Sequence, residues 1–208
     1  LGEKKISEIL AEMDLIQKAA VFAIRHHEGV KRRDGTPYFH HPARVAKHVA
    51  FLGGSNADMV SAALLHDVVE DPDANGNRIP LEKIKEEFGT SVASLVGELT
   101  NCSKGIPGLN RAGRKRFDHA RLARASNEAK RIKMCDRIDN LNDLPEGGDF
   151  SLLYAKESRD LAKAVGDADP DLHAELLEAI ERTERSVVQI MGVQTTGVQT
   201  TGLQGKAT

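Results

Sequence analysis

Cysteine is scarce: Cys102 and Cys135 are the only two in 208 residues. Two thiols make no disulfide framework and suit a reducing cytosol. Long hydrophobic runs are missing as well, since none approaches the roughly 18–20 residues that span a bilayer. Neither sign of charge dominates: 29 Lys+Arg face 31 Asp+Glu, for a net charge of −2. That balance argues against a nucleic-acid coat or a polybasic membrane anchor. The opening residues, with Glu3, Lys4 and Lys5, show no secretory signal. Strand patterns are equally rare. The chain is therefore expected to be cytoplasmic, with no nucleic-acid or membrane partner, while its oligomeric state stays open. What it does have is 40% hydrophobic and 29% charged residues, the balance of a globular protein. Its 22.6 kDa suffice for one domain with a sizeable core. Eight histidines supply raw material for metal chemistry.

Helical periodicity runs almost throughout. Ile6, Ile9, Leu10, Met13, Ile16, Ala20 and Ala23 recur at three- and four-residue steps, predicting an amphipathic first helix with that stripe on the core. Pro42 is placed to open a second helix, which Gly53-Gly54 would end. A third, unusually apolar helix is expected over 58–70, followed by a loop to 79. Pro80 starts a short helix that Gly89 ends, and another runs from Ser91 to about Thr100. Residues 103–113 hold Gly105, Pro107, Gly108 and Gly113 and predict a flexible crossing. Helical patterns follow around 118–124 and 129–144, with two more after Gly147-Gly148. From Gly192 the chain reads GVQTT, GVQTT, GLQ, a repeat too short and polar for a core. The expectation is one all-α domain over 1–191 and a disordered tail over 192–208.

Chemistry concentrates in three segments. In the third helix, Ala62-Ala63-Leu64-Leu65 leads straight into His66-Asp67-Val68-Val69-Glu70-Asp71. On a helix, His66 and Glu70 share one stripe and Asp67 and Asp71 the next. Carrying these groups into an apolar region costs several kcal/mol each if they are unpaired, on the order expected for buried charges. A divalent cation or a cationic substrate relieves that cost; the plain alternative is a solvated helix end. In Tyr38-Phe39-His40-His41-Pro42, the residue before proline has a restricted backbone, but spacing alone leaves His40 and His41 equal candidates. In Asp136-Arg137-Ile138-Asp139-Asn140, Asp136 and Asn140 share a helical stripe, against the alternative of a surface charge pattern. Mixed imidazole and carboxylate donors suit a six-coordinate ion such as Mn²⁺. Zinc is less favoured without a cysteine pair at ligand spacing. A bound water would become more acidic, and Glu70 and Asp71 lie one turn on, where a carboxylate can orient or deprotonate it.

Taken with their order and separations, RRDGTPYFHHP at 32–42, HDVVED at 66–71 and DRIDNL at 136–141 resemble the HD-domain phosphohydrolases. More closely, the chain is similar to the small, free-standing alarmone hydrolases of the stringent response, over roughly residues 5–190. The resemblance implies a single HD-domain helical bundle holding one Mn²⁺ per chain through His41, His66, Asp67 and Asp136. It implies that His41, which precedes the proline, is the ligand and His40 is not. Glu70 and Asp71 would activate or position the attacking water, and Arg32, Arg33, Tyr38 and Asn140 would contact the nucleotide. The implied reaction removes pyrophosphate from the 3′ position of guanosine 3′,5′-bis(pyrophosphate) or its pentaphosphate relative, giving GDP or GTP. The segment 105–124 matches the free-standing hydrolases better than the long bifunctional enzymes, and hydrolysis without synthesis is expected. Asn142 departs from the arginine that bifunctional relatives often carry there.

From the residues themselves, Arg32-Arg33 can grip a phosphate chain in fork geometry. A second basic cluster, Arg111, Arg114, Lys115 and Arg116, is placed to close over the 5′ phosphates, or else is a solvated helix start. Two other readings compete: an HD phosphohydrolase on another nucleotide (an adenosine alarmone analogue or the 2′-phosphate of NADPH), and a nucleotide-binding regulator with a dead site.

Overall fold

Among the described residues, 3–145 and 147–198 of a computed structural model, the periodicity becomes eight α-helices. They are α1 (Glu3–His26), α2 (His40–Ala50), α3 (Ala57–Leu65), α4 (Leu81–Leu99), α5 (Arg111–Leu122), α6 (Asn127–Asn142), α7 (Asp149–Val165) and α8 (Pro170–Val198). Extended pairing among those residues is limited to one antiparallel bridge, Lys31 with Pro37, which closes the turn carrying Arg32 and Arg33. Helix starts follow local chemistry. The side chains of Asn56, Asn110 and Ser126 accept from the backbone amides of Met59, Gly113 and Ala129, capping α3, α5 and α6.

Two helices form the centre because they are apolar on more than one side. In α3, Met59, Ala62, Ala63, Leu64 and Leu65 are all buried. In α6, Ala129, Ile132, Met134, Cys135, Ile138 and Leu141 are buried together with Lys133, Asp136 and Arg137. Helix α6 packs against α2, α4, α7 and α8, and α3 packs against α1, α2 and α4. The charged residues of α6 are thus carried into the core by the helix that the rest of the fold surrounds.

Several boundaries differ from expectation. The third helix ends at Leu65, and His66 is its C-cap, so 66–70 is a turn rather than a continuing helix. Val68 N bonds Leu65 O at 3.1 Å and Asp71 N bonds Asp67 O at 2.8 Å, a tightened, irregular turn that breaks the two expected stripes. Helix α2 starts at His40, with Pro42 inside its first turn, where a missing N–H costs nothing. The two short helices expected around Gly89 form one element, kinked where Gly89 takes φ 84° and ψ 174°, a left-handed φ that glycine adopts without strain. On α1 the expected core stripe covers only the C-terminal half. Ala23 is fully buried and Ile16 and Ala20 half-buried, whereas Ile6 is 51% and Met13 60% exposed. Residue 191 is not a helix end: α8 continues to Val198, seven residues into the stretch expected to be disordered. The rest of that tail, 199–208, lies outside the described residues.

Candidate active site

Three chain segments meet at one buried point. His41 sits in the first turn of α2, His66 at the end of α3 and Asp136 in the middle of α6. Each offers one donor atom, and the three atoms lie within 4.8 Å of one another. His41 Nε2 is 3.2 Å and His66 Nε2 3.6 Å from Asp136 Oδ1. Asp67 joins them: its Oδ2 is 3.2 Å from His66 Nε2 and 3.7 Å from His41 Nε2. That same oxygen also accepts a 2.8 Å bond from the Tyr38 hydroxyl, which fixes where it points. His40 is exposed and takes no part.

The tautomers are set from behind. His66 Nδ1 donates to Ala63 O at 2.7 Å, and His41 Nδ1 donates to Asp139 Oδ2 at 2.6 Å. Both Nε2 atoms therefore turn their lone pairs inward, as imidazole ligands require. His66 Nε2 is buried and, among the described residues, has no hydrogen-bond partner, an orphan that only a cation or a proton satisfies. Burial works against charging His66, yet Asp67 and Asp136 hold its pKa well above the ordinary imidazole value. His41 behaves alike: burial opposes its charge, and Asp136 and Asp139 raise its pKa. Asp136 stays ionised in spite of burial because Lys133, at 2.7 Å, and the two histidines hold its pKa well down. The surroundings favour positive charge at the imidazole tips, and two nitrogens with two carboxylates form a donor set for a divalent ion. The residues present fit a metal.

Glu70 and Asp71 flank this cluster without entering it. Glu70 Oε2 accepts from Asn101 N at 3.1 Å and Asn101 Nδ2 at 2.7 Å, and Lys104 Nζ lies 2.9 Å from Oε1. Lys104 also reaches Asp71 Oδ1 at 3.5 Å, so one ammonium spans both acids. Asp71 Oδ2 accepts from Tyr38 OH at 3.2 Å, while burial and then Asp67 push the Asp71 pKa up. Tyr38 therefore donates toward two carboxylates, and its own pKa is driven up by burial and by Asp67.

Above and beyond the cluster runs a cleft in three connected parts. The inner cavity, about 140 Å³, is walled by His41, Asp67 and Asp136 of the cluster, by the acids Glu70 and Asp118, and by Lys115, His119, Lys133 and Arg137. An outer cavity of about 350 Å³ is lined by Arg32, Arg33, Tyr38, Asn140 and Phe150, and shares Tyr38, Asn140 and Tyr154 with the inner one. A third, of about 400 Å³, contains Lys104, Arg111 and Arg114 and shares Glu70, Asn101, Lys115 and Asp118 with the inner one. Arg32 is held by Asp143 at 2.5 Å and Asn140 Oδ1 at 3.1 Å, and Arg33 lies 4.4 Å over the Phe150 ring. Asn140 also donates to Asp136 Oδ1 at 2.6 Å, tying the outer wall to the cluster.

The basic segment 111–116 does not act as one patch. Arg111 is forked onto Glu157 at 2.6 and 2.9 Å, Arg114 bonds Leu109 O at 3.0 Å beside Lys104, and Lys115 enters the inner cavity. Asn142 faces Arg182 on α8 at 3.2 Å, away from the cleft. Sequence reasoning missed Asn101, just past the end of α4, and Lys104, in the glycine-rich crossing, where no periodicity marks them. It also passed over Asp139 and Arg44, whose guanidinium meets Asp139 at 2.6 and 2.9 Å. Asp139 had a readable signal: one turn from Asp136, it falls on the same side of the same helix.

A helical bundle that gathers a histidine–aspartate pair with a preceding histidine and a distant aspartate defines the HD class of metal-binding helical domains. The pattern of the HD domain matches residues 19–164, and the chain belongs to that family. It is 38% identical over 144 residues to the human guanosine-3′,5′-bis(diphosphate) 3′-pyrophosphohydrolase MESH1, covering 66% of this chain and 75% of that one. A guanosine-3′,5′-bis(diphosphate) 3′-pyrophosphohydrolase of Aquifex aeolicus is 36% identical over 145 residues, 68% of this chain but 19% of the longer protein. A solved structure described as a metazoan ortholog of SpoT that hydrolyzes ppGpp superposes with a TM-score of 0.65 at 28% identity, covering 81% of this chain and 94% of that one.

Proposed function

We propose that this protein is a manganese-dependent hydrolase that removes pyrophosphate from the 3′ position of guanosine 3′,5′-bis(pyrophosphate) or the pentaphosphate, releasing GDP or GTP. The observation that carries the reading is the meeting of His41, His66, Asp67 and Asp136 at the floor of a cleft whose outer wall presents Arg32 and Arg33. The names of the human and Aquifex relatives support the choice of substrate.

His41, His66, Asp67 and Asp136 would hold one Mn²⁺, which when bound makes a water more acidic and withdraws charge from a phosphoryl oxygen. Glu70, anchored by Asn101 and Lys104, and Asp71, with its raised pKa, orient the attacking water and take its proton. Lys104 balances the charge of the pair, so both acids can stand together. Arg32 and Arg33, braced by Asp143 and Phe150, bind the nucleotide phosphates and base with little rotamer freedom left to lose. The Tyr38 hydroxyl is committed to Asp67 and Asp71, so the ring, not the hydroxyl, faces the nucleotide. Arg114, in the adjoining cavity with Lys104, serves the far phosphates. The free thiols Cys102 and Cys135 support a cytoplasmic setting. No helix among the described residues is long and apolar enough to cross a membrane.

The test is pyrophosphate release from guanosine 3′,5′-bis(pyrophosphate), with Mn²⁺ and with a chelator, identifying the nucleotide product. Manganese-dependent formation of GDP is expected. Absence of turnover by metal-loaded protein would refute the substrate and move it to an adenosine analogue or NADPH.

A further inference from the structure

Six of the twelve large apolar side chains exposed among the described residues belong to α1. They are Ile6, Ile9, Leu10, Met13, Val21 and Ile24, each exposed by 40–60%. Scattered singly, such side chains need no explanation, but these share one face. At about 100° per residue, Ile6, Leu10, Met13, Val21 and Ile24 follow one another along a stripe, with Ile9 at its edge and Gln17 as its polar interruption.

The helix has a separate inward side. Ala19, Ala23 and His26 are buried roughly a third of a turn away from the stripe, at that same ~100° per residue. There α1 lies on α3, and Phe22 meets Phe88 of α4 edge-on at 5.3 Å. The stripe is therefore a second apolar face and not a ragged margin of the core. Over 5–14 every residue is exposed, so the bundle supports little of this half. Isolated helical stretches shorter than about 12–15 residues are marginal in water, and a partner along the stripe would steady this one.

The charges say which partner fits. The first half of α1 sets Glu8, Glu12 and Asp14 against Lys5, whereas 15–26 holds Lys18, Arg25 and His26 and no acid. Among the described residues, only Lys18 of these has an ion-pair partner, Glu87 at 2.9 Å, and its half-exposed ammonium has donors to spare. A face acidic at one end and basic at the other complements its own copy turned end for end. Two helix dipoles laid antiparallel also attract.

We propose that α1 is a self-association helix: two copies of this chain pair antiparallel along the stripe, about a two-fold axis passing close to residues 15 and 16. Ile6 then meets Ile24 of the second copy, Leu10 meets Val21, and Met13 meets Gln17, each contact occurring twice by symmetry. Asp14 comes beside Lys18 of the second copy at the rim. The 24 residues of α1 give a seam about 36 Å long. None of His41, His66, Asp67 and Asp136 lies on α1, so pairing leaves the cluster of each copy as it is.

The experiment is sedimentation equilibrium of the full chain from about 1 to 100 µM, a range that spans micromolar affinity. It compares the wild type with Leu10→Lys, Val21→Glu, the double variant of both, and Phe51→Lys. Circular dichroism confirms the helix content of each; Leu10, in the fully exposed half, can change without touching the core. The wild type is expected to dimerise, and each single variant to weaken the dimer at least tenfold, because every substitution acts twice. The double variant, which sets lysine opposite glutamate at both contacts, should regain at least threefold over either single one. Phe51, exposed at the end of α2 and off the stripe, is the control and should change nothing. A wild type still monomeric at the highest concentration, as it would be if another partner covered the stripe, would overturn the proposal. So would a dimer that Leu10→Lys leaves within twofold of wild type, or a double variant weaker than both single ones, which would mean the helices do not run antiparallel.

Discussion

Replacing Asp139 by alanine isolates what stands behind His41, proposed above as a metal ligand. Its Oδ2 accepts a 2.6 Å bond from His41 Nδ1, and a hydrogen bond to a charged group contributes about 1.5–3 kcal/mol. Without it the His41 proton is free to move to Nε2, the atom facing Asp136 and Asp67, and that tautomer cannot coordinate. Loss of such a partner typically costs about 10–100-fold in metal affinity. At ~1.4 kcal/mol per tenfold this is about 1.4–2.8 kcal/mol, in line with the hydrogen bond itself. The assay is competition for Mn²⁺ between the full chain and a chromogenic chelator, for wild type, Asp139→Ala and Arg44→Ala. Arg44 is 44% exposed, so its ion pair with Asp139 is screened and worth little, and its removal should cost less than about threefold. Affinity within twofold of wild type for Asp139→Ala, or equal losses for the two variants, would refute the argument that the carboxylate acts through the imidazole.

Glu70→Gln keeps the side-chain shape but cannot accept a proton; kcat should fall at least ~10²-fold with manganese affinity within about threefold, and metal loss would contradict its assigned role. Arg121 donates to the carbonyls of Gly97 (3.2 Å), Glu98 (2.8 Å) and Thr100 at the end of α4, so Arg121→Met should lower urea-unfolding stability by about 2–3 kcal/mol; less than about 1 kcal/mol would show that water replaces it readily. For pH, burial and then Arg137 lower the His119 pKa from 6.5 to about 4, so the unfolded chain binds the extra proton first and His119 costs stability as pH falls from about 6.5 toward 4. His41 and His66, with raised pKa values, act in the opposite sense, so the comparison is between wild type and His119→Gln: the variant should gain on the wild type between pH 7 and pH 5, and parallel pH profiles would refute the shift.

The sequence carried the helices and the cluster well, for separate reasons. Periodicity and capping are local, so α2, α6 and α7 stand close to where the pattern places them, whereas α5 opens at Arg111, inside the stretch expected to be a flexible crossing. The cluster was legible because ionisable residues interrupt apolar stretches, as His66-Asp67 and Asp136 do. What remained hidden is tertiary. Nothing in the apolar spacing of α1 reveals that Ile6, Ile9, Leu10 and Met13 lie beyond the neighbouring helices. The early end of α3 was equally invisible, because His66 through Glu70 keep a helix-compatible spacing while their side chains turn to different partners. His66 faces the cluster, whereas Glu70 is drawn to Asn101 and Lys104, 31 and 34 positions along the chain. Arg111 looked like part of a phosphate clamp until Glu157, on another helix, was seen to take its charge.

The outer and inner parts of the cleft are built from different material. The side chains of the histidine–aspartate cluster, with Lys115, Lys133 and Arg137, sit on helices or at their ends, whereas Arg32, Arg33 and Asp143 sit in the connections between helices. Drift in those connections can change which nucleotide is admitted while the hydrolytic floor stays in register, because loop changes are tolerated far better than changes in packed helices. Such a division makes the same helical frame evolvable: new substrates can be tried by altering residues of those connections, with the reaction centre inherited intact.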